Sequence, residues 1–311
     1  MADGKAPGEF DLIRLLRERQ VVHPAVRLGI GDDAAILSPA AGRELLIAAD
    51  MLMEGTHFTF PPLTPREAGR KALAVNLSDL AAMAAEPLAA FVTVALPRGR
   101  SASFALELHE GVLDAARPFG MSLAGGDTNA WDGPLVISVT VCGQSSAAGP
   151  VCRSGALPED RILVTGSLGG SLSGHHASFT PRVREALTMQ QTAPIHAMID
   201  ISDGLAADLH HILDESQVAA VLEAARIPLT PEAHRQATAE KPALVRALSD
   251  GEDFELLLTA APDDAARLLA LDLPGCPLTD IGSIHAGSGC QLRQADGSLI
   301  PLERSGWQHQ L

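Results

Sequence analysis

Cysteine is the first scarcity of this chain, with four in 311 residues: Cys142, Cys152, Cys276 and Cys290. They form no C-x-x-C pair and no Cys/His set of zinc-binding spacing, so they read as reduced thiols of a cytoplasmic protein. Basic residues are also short, 23 Lys and Arg against 38 Asp and Glu, for a formal net charge of −15. Such a field repels nucleic acid and anionic membrane unless cations intervene, and no basic run offsets it. An uninterrupted hydrophobic run is missing too. The longest apolar stretch, Leu77 to Leu96, is broken by Asp79, Glu86 and Pro87, so it does not span a bilayer. The opening residues lack the apolar core of a signal peptide, which again points to the cytoplasm.

What is present is 46% hydrophobic and 20% charged, ordinary for a globular protein that buries roughly three quarters of its unfolded surface. Small residues replace the periodic pattern at Ser145-Ser146-Ala147-Ala148-Gly149-Pro150. A boundary there predicts two domains, 1–147 and 148–311.

Glycine followed by carboxylate recurs along the chain. Gly29-Ile30-Gly31-Asp32-Asp33 sets two adjacent acids on a tight turn. Two carboxylates about 4 Å apart repel by roughly 4 kcal/mol at an effective dielectric near 20. Asp50 ends an apolar run from Glu44 that reads as a buried strand, and Glu54 and His57 follow on a loop. Thr64-Pro65-Arg66-Glu67 is a capping box with proline at the first helical position, predicting a helix to about Ala85. Leu73, Leu77 and Leu80 form its core stripe, and Asp79, its one charge beyond Ala72, lies on the neighbouring stripe with Asn76 and Met83. An ionised carboxylate in so apolar a helix needs a partner, either hydrogen-bond donors or a cation.

Further on, strands are expected at 88–96 and 134–142, with a helix at 101–118 between them and, after Gly125-Gly126, Asp127-Thr128-Asn129 as a polar turn. In the second half a strand is expected at 161–165. Asp200 and Asp203 close a short apolar strand where a helix carrying Leu205, Leu209 and Ile212 begins. Asp250-Gly251-Glu252-Asp253 precedes a strand from Phe254 to Thr259, and Trp307, one of two tryptophans, stands near the end.

Two nucleotide motifs are excluded. Gly169 and Gly174 have the first spacing of a P-loop, but His175-His176 stand where Lys and Ser/Thr are needed, and they read as surface residues. Gly29-Ile30-Gly31-Asp32-Asp33-Ala34 fits G-x-G-x-x-A, yet Ser38-Pro39-Ala40-Ala41-Gly42 breaks the chain where a long helix should continue. Dispersed carboxylates instead suit several Mg²⁺ ions, each shared among one or two carboxylates, waters and substrate phosphates. Phosphoryl transfer needs alignment and charge neutralisation, which such a site supplies without a Walker lysine.

The ordered set Gly8-Glu9-Phe10, Leu28-Gly29-Ile30-Gly31-Asp32-Asp33-Ala34-Ala35, Glu54-Gly55-Thr56-His57-Phe58, Lys71 to Met83, Gly125-Gly126-Asp127-Thr128, Arg153-Ser154-Gly155, Ile199 to Leu205 and Gly251 to Leu256 closely resembles the thiamine-monophosphate kinases. The resemblance covers almost the whole chain. It implies a mixed α/β (α+β), two-domain aminoimidazole ribonucleotide synthetase-like fold, with an N-terminal domain that forms a homodimer. The implied activity is ATP-dependent phosphorylation of thiamine monophosphate to thiamine diphosphate, the last step in making that cofactor. By motif position, Asp33, Asp50, Asp79, Asp127, Asp200 and Asp203 are implied Mg²⁺ ligands, with Ala49 beside them. Asp33, Asp79, Asp127 and Asp203 are implied catalytic residues. Gly126, Asp127, Arg153 and Ser202 fall near ATP, and His57, Glu252 and Trp307 at thiamine monophosphate. The sequence departs from the family at Ala48-Ala49, where Ser/Thr-Thr is common, and at a short 166–199 region that keeps only Phe179-Thr180-Pro181-Arg182 of a longer motif.

Overall fold

A computed structural model describes residues 18–19, 22–28 and 35–307. The Gly8-Glu9-Phe10 motif and the Gly29 to Asp33 turn therefore lie outside the described residues. Two compact units emerge, one from residues up to Leu80 with Glu86–Ser145, the other from Ala81–Ala85 with Ser146 onward.

The first part of the chain gives β1 (Val26–Leu28), β2 (Ile36–Leu37), β3 (Leu45–Met53), α1 (Pro65–Ala82), β4 (Ala85–Pro97), α2 (Ala102–Ala116), β5 (Ser122–Trp131) and β6 (Val136–Ser145). β1 and β2 form an antiparallel ribbon. The other four strands make one sheet in the order β3-β6-β4-β5, with β3 antiparallel to β6 and β4 parallel to β5. α1 starts where its capping box predicts: the Thr64 N–H donates to Glu67 Oε2 at 2.7 Å and the Glu67 N–H to Thr64 Oγ1 at 3.2 Å. Leu73, Leu77 and Leu80 are all buried.

Residues 127–129 lie within strand β5 rather than in the expected turn. Gly126 has φ +151°, and a Cβ there would lie 2.0 Å from the Val92 carbonyl oxygen. The two glycines let β5 run close along β4, which a propensity reading mistakes for a turn.

The second part gives β7 (Arg161–Thr165), α3 (His175–Ser178), α4 (Val183–Thr192), β8 (Ala197–Asp200), α5 (Leu205–Ser216), β9 (Ala219–Glu223), α6 (Pro231–Arg235), α7 (Ala243–Ser249), β10 (Leu256–Ala260), α8 (Pro262–Leu269), β11 (Leu278–His285), β12 (Gly289–Arg293) and β13 (Leu299–Pro301). Its mixed sheet has the order β13-β12-β9-β11-β7-β10-β8, and only β12 and β9 pair in parallel. Ile162, Val164, Ile199, Leu205, Leu209 and Ile212 join one core cluster, so α5 packs its apolar stripe on the sheet. β10 begins at Leu256 and not at Phe254, because Glu252 and Phe254 have φ of +53° and +51° and cannot join a ladder. The fold class is the expected mixed α/β one.

Candidate active site

In the first unit, Asp50 sits at the middle of β3 and Asp79 on the last turns of α1, and their carboxyls are hydrogen-bonded to one another. Asn76, one turn before Asp79, accepts the Asp50 N–H at 3.1 Å and donates to the Ala72 carbonyl at 2.9 Å. The stripe read from the helix thus clamps the strand. Burial pushes the Asp50 carboxyl above the usual carboxylate range, countered by the bond to Asp79 and the nearby His57. Two carboxyls in contact need a shared proton or a cation between them.

His57 is held by its backbone and its ring. Its Nδ1 accepts the Met53 N–H at 3.0 Å, and its carbonyl accepts Lys71 Nζ at 2.8 Å. Lys71 is fully buried. An ammonium in such surroundings is retained only where oxygen partners satisfy it, so it fixes the His57 loop onto α1. Sequence reasoning passed over Lys71, since its burial depends on the fold.

Ala49 is exposed and registers with Thr140 of β6. Asp127 and Gly126 lie on β5, at the other edge of the sheet from β3. Asp127 is exposed and accepts Asn129 Nδ2 at 2.7 Å. Asp33 lies outside the described residues.

In the second unit, three distant segments meet around one turn. The Glu252 N–H donates to the Ser202 carbonyl at 2.7 Å, the Phe254 N–H to the Ile201 carbonyl at 2.8 Å, and the Trp307 N–H to the Asp203 carbonyl at 3.0 Å. Asp200, Ser202, Asp203, Glu252 and Trp307 are therefore brought together. Asp200 is buried at the end of β8, whereas Trp307 is 52% exposed.

Asp208, which the sequence reading did not single out, is central to this group. Its Oδ2 accepts the N–H groups of Asp203 and Gly204 at 3.1 and 3.0 Å, fixing the entry to α5. Burial, with Asp200 and Asp203 nearby, raises its carboxyl to about 8. The acid in the first helical turn was the available sign.

Arg153 is exposed, and its carbonyl accepts Ser216 Oγ at 3.1 Å, at the far end of α5 from Asp203. Its charge, with that of Arg304, acts on His211, a half-buried residue held below the usual histidine range mainly by burial.

Arg182, the remnant of the shortened motif, is half-buried and pairs with the buried Glu255 through Nε to Oε2 at 2.8 Å and Nη2 to Oε1 at 2.5 Å. Thr165 Oγ1 donates to the same carboxylate at 2.6 Å. Of the two histidines read as surface residues, His175 is exposed, but His176 is buried and its Nδ1 donates to the Ser171 carbonyl at 3.1 Å. Among the described residues no group of three or more His, Cys, Asp or Glu side chains is arranged to hold a metal ion by itself. No helix among them is long and apolar enough to cross a membrane.

Residues 31–145 match the AIR synthase related protein, N-terminal domain, and residues 158–294 the AIR synthase related protein, C-terminal domain. The thiamine-monophosphate kinase of Rhodopirellula baltica (strain DSM 10527 / NCIMB 13988 / SH1) is 38% identical over 309 residues, 97% of each chain. The crystal structure of thiamine-monophosphate kinase from Stenotrophomonas maltophilia K279a is 36% identical, with a TM-score of 0.79 over 95% of this chain and 99% of that one. AaThiL complexed with AMPPCP and TMP is 29% identical, with a TM-score of 0.74 over 97% of both chains.

Proposed function

Because the chain belongs to the thiamine-monophosphate kinase family of AIR synthase related proteins, we propose that it transfers the terminal phosphoryl group of ATP to thiamine monophosphate. The products are thiamine diphosphate and ADP, and the transfer is direct and in line. The observation that carries this reading is the likeness along nearly the full length of both chains to a thiamine-monophosphate kinase. A relative bound to an ATP analogue together with TMP supports the pairing of substrates.

The acceptor oxygen belongs to a phosphate that is already anionic, so no strong general base is required. The difficulty is the approach of two anions. Magnesium, when bound, neutralises charge on the phosphate oxygens. The oxygen-only donor set fits that ion, because the Asp50 and Asp79 pair supplies the one or two carboxylates that Mg²⁺ usually takes. In this reading Asp33, Asp50, Asp79 and Asp127 of the first unit, and Asp200 and Asp203 of the second, are the magnesium ligands, with the Ala49 carbonyl beside Asp50. Gly126, Arg153 and Ser202 face ATP; His57, Glu252 and Trp307 hold thiamine monophosphate. Lys71 fixes His57, and Asp208 fixes the backbone of Asp203.

We place the enzyme in the cytoplasm as a homodimer built on its N-terminal sheet. Leu45, Ile47 and Met51 support the dimer, since they alternate along β3 and are 45%, 64% and 53% exposed. Alternate apolar residues facing water mark a surface that gains by being covered.

The deciding experiment incubates the pure protein with ATP, Mg²⁺ and thiamine monophosphate and measures thiamine diphosphate and ADP. Equimolar products are expected. ADP without thiamine diphosphate sinks the assigned acceptor, and tight ATP binding with neither product sinks the enzyme reading.

A further inference from the structure

The loop Gly166 to Gly174 looks like a damaged P-loop, and the function assigned so far leaves it unused. Gly169 and Gly170 answer to packing. Gly169 has φ +88°, and a Cβ there would lie 2.7 Å from the Ala247 backbone nitrogen on α7. Four polar groups of residues 169–175 turn toward one place, the tight turn 250–254. The Gly169 N–H donates to Asp253 Oδ1 at 2.9 Å, and the Gly170 N–H to Asp250 Oδ2 at 3.2 Å. Ser171 Oγ donates to the Gly251 carbonyl at 2.5 Å, and His175 Nε2 to the Asp253 carbonyl at 3.2 Å. The Phe179 ring, just beyond α3, stacks on Phe254 with centroids 4.2 Å apart and 15° between planes.

The clamped turn needs such support. Gly251, Glu252 and Phe254 have φ of +72°, +53° and +51°. A left-handed conformation at a non-glycine residue persists only where its surroundings over-determine it. One side of the turn is sewn to Ser202 and Ile201, and the loop supplies the other. Asp253 is buried beneath it, with Oδ2 unpartnered and its carboxyl pushed well above the usual range, chiefly by burial.

We propose that the 169–175 loop is a positioning element for thiamine monophosphate, holding Glu252 in its left-handed conformation through Ser171 and His175. This rests on the reading that Glu252 contacts that substrate, and it assigns a task to the P-loop-like segment that is distinct from phosphate binding.

Steady-state kinetics on the full chain test it with Ser171→Ala, His175→Ala, His175→Gln and Glu252→Ala. Ser171→Ala is expected to raise KM for thiamine monophosphate about fivefold to tenfold, the scale of one lost hydrogen bond. His175→Ala raises it about threefold, and His175→Gln, whose amide still donates, restores it. KM for ATP and kcat stay within about twofold, the mark of lost ground-state binding and not of lost chemistry. Should Ser171→Ala not fold, the exposed His175 pair still decides. If Glu252→Ala raises that KM while Ser171→Ala and His175→Ala leave it unchanged, the positioning role is overturned. The same holds if either loop variant raises KM for ATP equally, or if His175→Gln behaves like His175→Ala. An unchanged KM in Glu252→Ala instead overturns the substrate contact itself, and the proposal falls with it.

Discussion

Asp50 and Asp79 meet side chain to side chain across a strand and a helix of the first unit, whereas the acids of the second unit are mostly met by donors. Asp208 takes two backbone N–H groups. Glu255 takes the Arg182 guanidinium, and Asp250 takes Lys241 Nζ at 2.6 Å and Arg246 Nη1 at 3.3 Å. The difference separates two uses of a carboxylate. Where protein donors already satisfy it, it builds the backbone around a site; where its neighbour is another carboxylate, it is poised for a cation brought with the substrate. In the proposed function, carboxylates of one sequence type would thus divide into scaffold and ligand by what the fold places beside them.

The largest effect should come from breaking a scaffold pair. Arg182→Ala leaves Glu255 buried without its counter-charge and is expected to cost about 3–5 kcal/mol, read from urea unfolding. Arg182→Met combined with Glu255→Leu should recover most of that loss, because no buried charge is stranded. An unchanged midpoint in Arg182→Ala would remove the scaffold half of the contrast. Next comes the ligand half. Asp79→Asn should lower turnover at least about a hundredfold, roughly 2.7 kcal/mol on the barrier, with circular dichroism unchanged. Near-normal turnover in that variant contradicts the metal role.

Asp208→Ala sharpens the same division with a smaller, opposite pattern. Loss of the bonds to the Asp203 and Gly204 N–H groups should cost about 1–2 kcal/mol of stability. A chain of this size then melts roughly 2–8 °C lower. Asp79→Asn should leave the melting temperature within about 2 °C. Equal melting losses in both variants would show that Asp79 is scaffold as well.

Local rules made much of this legible. The Thr64 to Glu67 capping box, the Leu73, Leu77 and Leu80 stripe and the turn at Asp200 to Leu205 each depend on a few adjacent residues, and each forms where the pattern places it. The reading failed where distant partners decide. Glycines 125 and 126 look like a turn until β4 lies beside them. Lys71 looks solvated until the His57 loop folds over it. Arg182 and Glu255 are 73 positions apart, and nothing in either neighbourhood announces the pair. The Asp50 and Asp79 contact spans 29 positions, yet the lone charge on an apolar helix was a fair sign that a partner existed.

Protons give the comparison its finest test, since the two units should respond to acid with opposite sign. In the first unit His109 borders a cavity of about 30 Å³ lined by Val92, Leu96, Leu108 and Thr128, and its Nε2 has no hydrogen-bond partner. Burial lowers it to about 4. The folded unit therefore stays neutral there while the unfolded chain takes a proton below about 6.5, so stability is full above that pH and lost as pH falls toward 4. In the second unit Asp208, raised to about 8, keeps its proton when folded and loses it when unfolded above about 4. That contribution grows as pH falls from 8 to 4. Each slope is bounded by about 1.4 kcal/mol per pH unit, and about 1 is expected in each. Hydrogen exchange in the presence of a chelator, corrected for intrinsic rates, should show protection at Leu113 of α2 falling from pH 6.5 to 5 while Leu209 of α5 gains. His109→Gln should flatten the first slope and leave the second. Parallel movement of both helices would mean that the buried titratable groups of the two units do not set their separate stabilities.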